Sequence, residues 1–256
     1  IGGIIMSGHS KWATIHRKKG LIDAERGKVF QKIAKEIYVA ARGTDGNPDH
    51  VPALRVVLEK AKAANMPKDN IKKAIDKATG NLDDVVYESI QYEGYGPGGI
   101  AVMVECLTDN RNRTASTVRA NFSKHGGNLG TNGSVSYLFK RKGVITFEKG
   151  NIDEDTAMMT ALDAGADDFD ATEDGYEIYT TPDVFLAVKD AISSLGVEDF
   201  TTCEITFVPD NYVSLDDETK EKAERLIEAL EDNDDVQEVY HNLELSLIHI
   251  SEPTRH

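Results

Sequence analysis

The nearest approach to a metal loop begins at Asp170, where Thr172, Asp174 and Gly175 follow in calcium-loop order. Its twelfth position is Thr181, so the bidentate carboxylate that closes such a loop is missing. The chain has no HExxH, GxSxG or CxxC pattern and no Cys/His cluster. Cys106 and Cys203 stand alone in apolar, strand-like contexts and read as inert buried thiols of a reducing compartment. Two glycine-dense stretches, "GYGPGG" and "KHGGNLGTNGS", could bring backbone N–H groups against phosphate. Neither fits GxGxxG after a strand or GxxxxGK(S/T), so no cofactor is expected, no metal and no catalytic residue. The runs "DED", "DDFD" and "EDNDD" read as solvated acidic faces that repel nucleic acid.

What the chain does offer is chemistry for binding polyanions. The stretch "GHSKWATIHRKKG" places Lys11, Arg17, Lys18 and Lys19 around Trp12, the single tryptophan. Trp12 could stack on an exposed base, worth about 1–3 kcal/mol, or pin its segment to neighbouring helices. Lys28, Lys32, Lys35 and Arg42 fall within about 40° of one line when residues 23–42 are wound as a helix. They read as a solvated face or, with Lys72, Lys73 and Lys77 close behind, as a grip on phosphate. Arg111 and Arg113 stand near the start of another helix, where cations oppose the dipole by about 0.3–1 kcal/mol each. Such a placement answers either to phosphate contact or to pairing with Asp109 or Glu105. Arg119, Lys124 and the loop residues Gly126, Gly127, Asn128 and Gly130 would complete a second contact surface. His9, His16 and His125 lie in or near basic or glycine-rich segments, which suits polar contact more than catalysis.

Charge is unevenly spread. The 256-residue chain carries a formal −15, yet residues 6–80 hold sixteen Lys and Arg against eight Asp and Glu, while residues 143–256 hold six against thirty. This asymmetry predicts a polyanionic partner and opposite signs at the two extremities of one folded body. Hydrophobic content of 40% fits an ordinary globular protein. No apolar run approaches the ~18 residues that span a bilayer, and Ile1 to Ile5 is too short for a secretory core. A cytoplasmic, membrane-free monomer is expected. Residues 245–256, opening "LSLIHISEPTR", read as translated sequencing adapter and are set aside.

These residues need elements to position them. Apolar residues recur at helical spacing over 23–42, 52–65 and 67–80, which predicts a small bundle with residues 7–21 laid over it as an arm. "YESIQYEG" and "GIAVMVECLTD" read as strands, "NRNRTASTVRANFSKHGG" as a helix, and "SVSYLF" and "GVITFEKG" as two strands around a "KRKG" turn. Residues 143–208 spell β-α-β-β-α-β, the order of a ferredoxin-like unit. The expected class is α+β: a basic helical domain at 6–80, an α+β domain from 81–142 and 209–244, and an inserted ferredoxin-like domain at 143–208.

At "GHSKWATIHRKK", "YEGYGPGG", "LTDNRNRTASTVR" and "FSKHGGNLGTNGSVSYLF" the sequence resembles the YebC/PmpR family, from Met6 to about Glu244. The resemblance implies three domains, one inserted in another, and no reaction performed by the protein itself. It implies either a promoter-binding transcriptional regulator or a ribosome-associated translation factor that eases synthesis of proline-rich peptides. Mitochondrial relatives are translational activators of cytochrome oxidase subunit one. Lysine-rich helices favour phosphate attraction over bidentate base reading. RNA at the ribosome, ribosomal RNA or tRNA, is therefore the expected partner, with DNA the alternative.

Overall fold

Helix α1, Asp23–Ala41, buries Ile33, Ile37, Tyr38 and Ala41, the one-sided spacing its sequence carries. It packs with α2, Pro52–Ala63, and α3, Lys68–Thr79, around Leu54, Leu58, Ala61, Ala74 and Ala78. Proline opens α2 and precedes α3, where its fixed φ suits a first turn and its missing N–H costs nothing. The protein is described by a computed structural model over residues 23–80 and 85–245. Lys11, Trp12, Arg17, Lys18 and Lys19 lie outside the described residues, as does the adapter-like tail after Leu245.

Two antiparallel sheets follow. The first has the order β3-β1-β2-β8, from β1 (Glu88–Tyr95), β2 (Ala101–Thr108), β3 (Asn128–Leu129) and β8 (Val236–His241). Helices α4 (Arg111–Lys124) and α7 (Asp217–Glu231) cover one face. Val102, Val104 and Cys106 of β2 meet Val118 and Phe122 of α4 and Leu226 and Leu230 of α7 there. The alternate residues Ala101 and Met103 point to the other face, where they pack with Val135, Phe139 and Tyr240. Leu245 also packs against the helix-side core, although it opens the segment read as adapter.

The second sheet has the order β5-β6-β4-β7, from β4 (Phe139–Glu148), β5 (Asp168–Ala171), β6 (Gly175–Thr180) and β7 (Thr202–Pro209). Helices α5 (Glu154–Asp163) and α6 (Phe185–Ser193) pack on it through Ala157, Ala161, Val188 and Ile192. Chain order β4-α5-β5-β6-α6-β7 with these pairings is the ferredoxin-like arrangement. It sits in the chain between α4–β3 and α7–β8, so strands on either side of it share the first sheet. The calcium-like run is part of this sheet's hairpin: Asp170 faces Glu177 across the ladder and Thr172 closes the turn onto Gly175. Among the described residues no helix is long and apolar enough to cross a membrane.

One element differs from the expectation. "SVSYLF" is not a strand, because Ser136–Leu138 forms a 3-10 turn, and "KRKG" is not a turn. A single strand runs from Phe139 through Lys140, Arg141, Lys142 and Gly143 to Glu148, paired with β7 from Phe139↔Pro209 to Thr146↔Thr202. Gly143 is there for space, not for a bend. A Cβ on it would lie 2.3 Å from Thr180 Oγ1 and 2.7 Å from a ring carbon of Phe185. Gly143→Ala is therefore expected to overpack this site and lower stability by about 1–3 kcal/mol in urea unfolding; an unchanged midpoint would show that Phe185 yields freely.

Candidate nucleic-acid interface

Lys28, Lys32 and Lys35 do share one face of α1, but that face is turned onto the protein. Lys28 donates to the Asp232 carboxylate, Lys32 to the Glu231 carbonyl, and Lys35 to the carbonyls of Asp234 at 3.0 Å and Leu107 at 3.2 Å. Glu231 ends α7, so Lys32 fills one of the carbonyls that a helix C-terminus leaves without an intrahelical partner, at the negative end of its dipole. Gln237 ties the same contact from β8, donating to the Lys32 carbonyl at 2.8 Å. Arg42 donates to the Tyr38 hydroxyl at 2.8 Å and to the Val85 carbonyl.

This bears on two expectations. Lys32 and Lys35 clasp two units together and are not an open grip on phosphate, while Lys28 stays exposed and pairs with Asp232 at the surface. The basic head and acidic rear are not segregated either, because Glu231, Asp232 and Asp234 meet α1 directly. The partners lie about 200 residues away along the chain, beyond the reach of any periodicity.

Arg111 and Arg113 likewise take the pairing alternative. Arg111 meets Glu88 at 2.6 Å; Arg113 bridges Asp109 at 2.8 Å and Asp235 at 2.7 Å. Asp235 is buried and also accepts from the Thr114 hydroxyl at 2.8 Å. Burial pushes its carboxyl up, but the hydrogen bonds from Arg113 and Thr114 outweigh this and hold it below the ordinary range. Asn110 caps α4 by accepting from the Arg113 N–H, so the cations are tolerated through their own carboxylates. Arg119 and Lys124 are different: both are exposed and neither has a hydrogen-bond or ion-pair partner among the described residues.

The glycine-dense loop after α4 is built tightly. Gly126 is exposed, Asn128 pairs with Tyr95 at the sheet edge, and the Gly130 N–H donates to the Glu93 carbonyl. Gly127 allows a close approach, since a Cβ there would stand 2.6 Å from the Tyr95 carbonyl oxygen. Beyond it the N–H groups of Gly133, Val135 and Ser136 donate to the buried Glu93 carboxylate at 2.8, 3.2 and 2.6 Å. Burial raises the Glu93 carboxyl and these three donors outweigh it, leaving it below the ordinary value. A carboxylate of the chain thus occupies the Gly133 amide of the stretch that the sequence offered to phosphate, with two amides just beyond it.

A second polar centre had no sequence signal. Lys60 of α2 reaches Glu36 of α1 at 3.1 Å and Glu238 of β8 at 2.9 Å. It borders a cavity of about 170 Å³ with Glu105, Arg141, Glu204 and Tyr240, where the helical unit meets both sheets. Burial disfavours the Lys60 charge, yet Glu238 and Glu36 raise its pKa well above the ordinary value. Burial also pushes the Glu204 carboxyl up, to about 7, against the pull of Lys60. No group of three or more His, Cys, Asp or Glu among the described residues is placed to hold a metal ion. Cys106 and Cys203 are free and buried, and burial pushes the Cys106 thiol up to about 12.

Comparison with known proteins gives the chain its relatives. The family described as TACO1/YebC protein N-terminal domain matches residues 10–81, and that described as TACO1/YebC second and third domain matches residues 87–243. "Probable transcriptional regulatory protein GK2594" of Geobacillus kaustophilus (strain HTA426) is 56% identical over 95% of this chain and 99% of its own. "Probable transcriptional regulatory protein YrbC" of Bacillus subtilis (strain 168) is 53% identical over 93% and 99%. A solved structure titled "Crystal Structure of a Conserved Hypothetical Protein Aq1575 from Aquifex Aeolicus" superposes with a TM-score of 0.78 at 45% identity, covering 94% of this chain and 99% of that one.

Proposed function

Because the chain belongs to the TACO1/YebC family, we propose that it is a non-enzymatic nucleic-acid-binding regulator of gene expression that acts on RNA at the ribosome, easing synthesis of proline-rich sequences. The names of its relatives support a regulator and point to transcription. The observation that turns the reading towards RNA is the fate of the α1 lysines. A duplex reader lays a helix with free basic or amide side chains into the major groove, whereas the lysine face of α1 is spent on Glu231, Asp232 and Asp234. Lys62, Lys68 and Lys73 stay open on the helical unit, and a second set of cations rides beyond it. Residues 110–143 hold seven Lys and Arg and no Asp or Glu, and within them Arg119, Lys124 and the loop residues Gly126, Asn128, Gly130, Thr131, Asn132 and Gly133 are exposed. Lys11, Trp12, Arg17, Lys18 and Lys19, which lie outside the described residues, are separate contacts in the same reading.

Ribosome co-sedimentation across a salt series tests it. The wild type is expected to sediment with ribosomes and to be released as salt rises. Arg119→Glu/Lys124→Glu and Lys11→Glu/Arg17→Glu/Lys18→Glu should each weaken binding and lower the salt slope by about one for every phosphate no longer gripped. Equal sedimentation of wild type and both charge-reversed proteins would overturn the reading. So would a preference for one DNA duplex over scrambled competitor with no ribosome binding.

A further inference from the structure

We infer that Tyr137 and Tyr95, with the turn 131–134 between them, form a stacking platform for unpaired bases of single-stranded RNA. The inference rests on the RNA reading above and names the state of the polymer and the surface that takes it. Tyr137 is 69% exposed and Tyr95 39%, and they are the only aromatic rings among the large exposed hydrophobic side chains of the described residues. Tyr92 packs into the helix-side core of the first sheet, so Glu93 and Tyr95, out of step with it along β1, belong to the other face.

The backbone that carries the rings is fixed from beneath. Glu93 accepts from Gly133, Val135 and Ser136, and the Tyr95 hydroxyl donates to the Ser134 carbonyl at 3.1 Å. Val135 and Phe139 are buried on either side of the 3-10 turn that presents Tyr137. An open ring on a fixed backbone loses little freedom when a base lies on it. Thr131, Asn132 and Gly133 at the turn are exposed, and a hydroxyl and a carboxamide can reach base edges.

The surroundings choose the occupant. Residues 110–143 contain no carboxylate, and the Glu93 charge beneath the turn is buried and met by three donors. Lys140, three residues after Tyr137, is exposed and lies 3.5 Å from Asp210. A protein-binding patch would set its aromatic anchors among apolar neighbours; here the exposed residues of the turn before Tyr137 are Thr131, Asn132 and Gly133, and the Asp210 N–H donates to the Leu138 carbonyl just after it. Paired bases hide their faces in the stack, so a ring on a turn can meet only an unpaired one.

Fluorescence anisotropy with a short adenine-rich single-stranded RNA, the same sequence as single-stranded DNA, and its RNA duplex separates the possibilities. Tyr137→Ala is expected to weaken single-stranded RNA binding about tenfold or more, Tyr137→Phe to restore it, and duplex binding to stay unchanged. Unchanged thermal unfolding of Tyr137→Ala excludes collapse of the loop as the cause. Equal affinity of wild type and Tyr137→Ala for the single strand would overturn the platform while ribosome sedimentation still upheld the RNA reading. Preference for single-stranded DNA, or an equal loss on the duplex, would overturn it too. Absence of both RNA binding and ribosome sedimentation in the wild type would sink the reading on which it stands.

Discussion

Lys60→Met is expected to cost about 3 kcal/mol, the low end for removing one partner from a buried ionic group. The variant keeps most of the aliphatic stem, so the loss isolates the charge. Lys60 faces Glu36 and Glu238 at ion-pair distance, with Glu204 and Glu105 on the same cavity. Arg141 at the rim is the other cation lining it, and the Arg141 side chain is exposed. With the ammonium gone, carboxylates from α1, β2, β7 and β8 repel one another across the meeting point of the helical unit and both sheets. The Lys60 side chain retains 19% exposure, so water relieves part of the penalty and the low end applies. Urea unfolding of wild type and Lys60→Met tests this. A loss under about 0.5 kcal/mol would show that the cluster simply takes up protons and that Lys60 is not its organiser.

The fold was readable wherever a local period decided it. Ile33, Ile37 and Ala41 at helical spacing gave α1, and alternation around Val102 and Val104 gave β2, each because one side of the element is buried and the other wet. Reading faltered where burial depends on a distant neighbour. "KRKG" looks like a turn until Thr180 and Phe185 fill the space beside Gly143. "SVSYLF" looks like a strand until Glu93 gathers the amides of Gly133, Val135 and Ser136. The candidate site was legible to a lesser extent. Residue type marked Arg111, Arg113 and the α1 lysines as cations in want of anions, but Asp235 and Asp232 supply them from the far end of the chain. One signal around Tyr137 was available in the sequence: residues 110 to 143 run without one carboxylate.

Raising the pH through neutrality is expected to destabilise the junction around Glu204, and Glu204→Gln to remove that effect. Burial, Glu238 and Glu36 push the Glu204 carboxyl up and Lys60 pulls it down, leaving it at about 7 against an ordinary 4.5. The folded protein therefore binds this proton more tightly than the unfolded chain does. The resulting stability is fully present below pH 4.5 and is lost as pH rises through about 7, a change of up to about 3 kcal/mol. Glu36, raised chiefly by burial, has the same sign. Glu93 and Asp235 are held low and have the opposite one, but their contributions vary at and below the ordinary carboxylate range, under the window in question. The remaining charged or titratable neighbours, Glu105, Arg141 and Tyr240, face the cavity from β2, β4 and β8, with Glu238 paired to Lys60 beside it, and Tyr240 is pushed well above its ordinary value, first by burial. Urea midpoints measured from about pH 5 to 8 should fall in the wild type and stay flatter in Glu204→Gln, the two curves diverging most where Glu204 would carry its charge. Parallel curves would mean that water enters the cavity and solvates the carboxylate, in which case the helical unit is held by the lysine clasp on α7 and the junction contributes only packing.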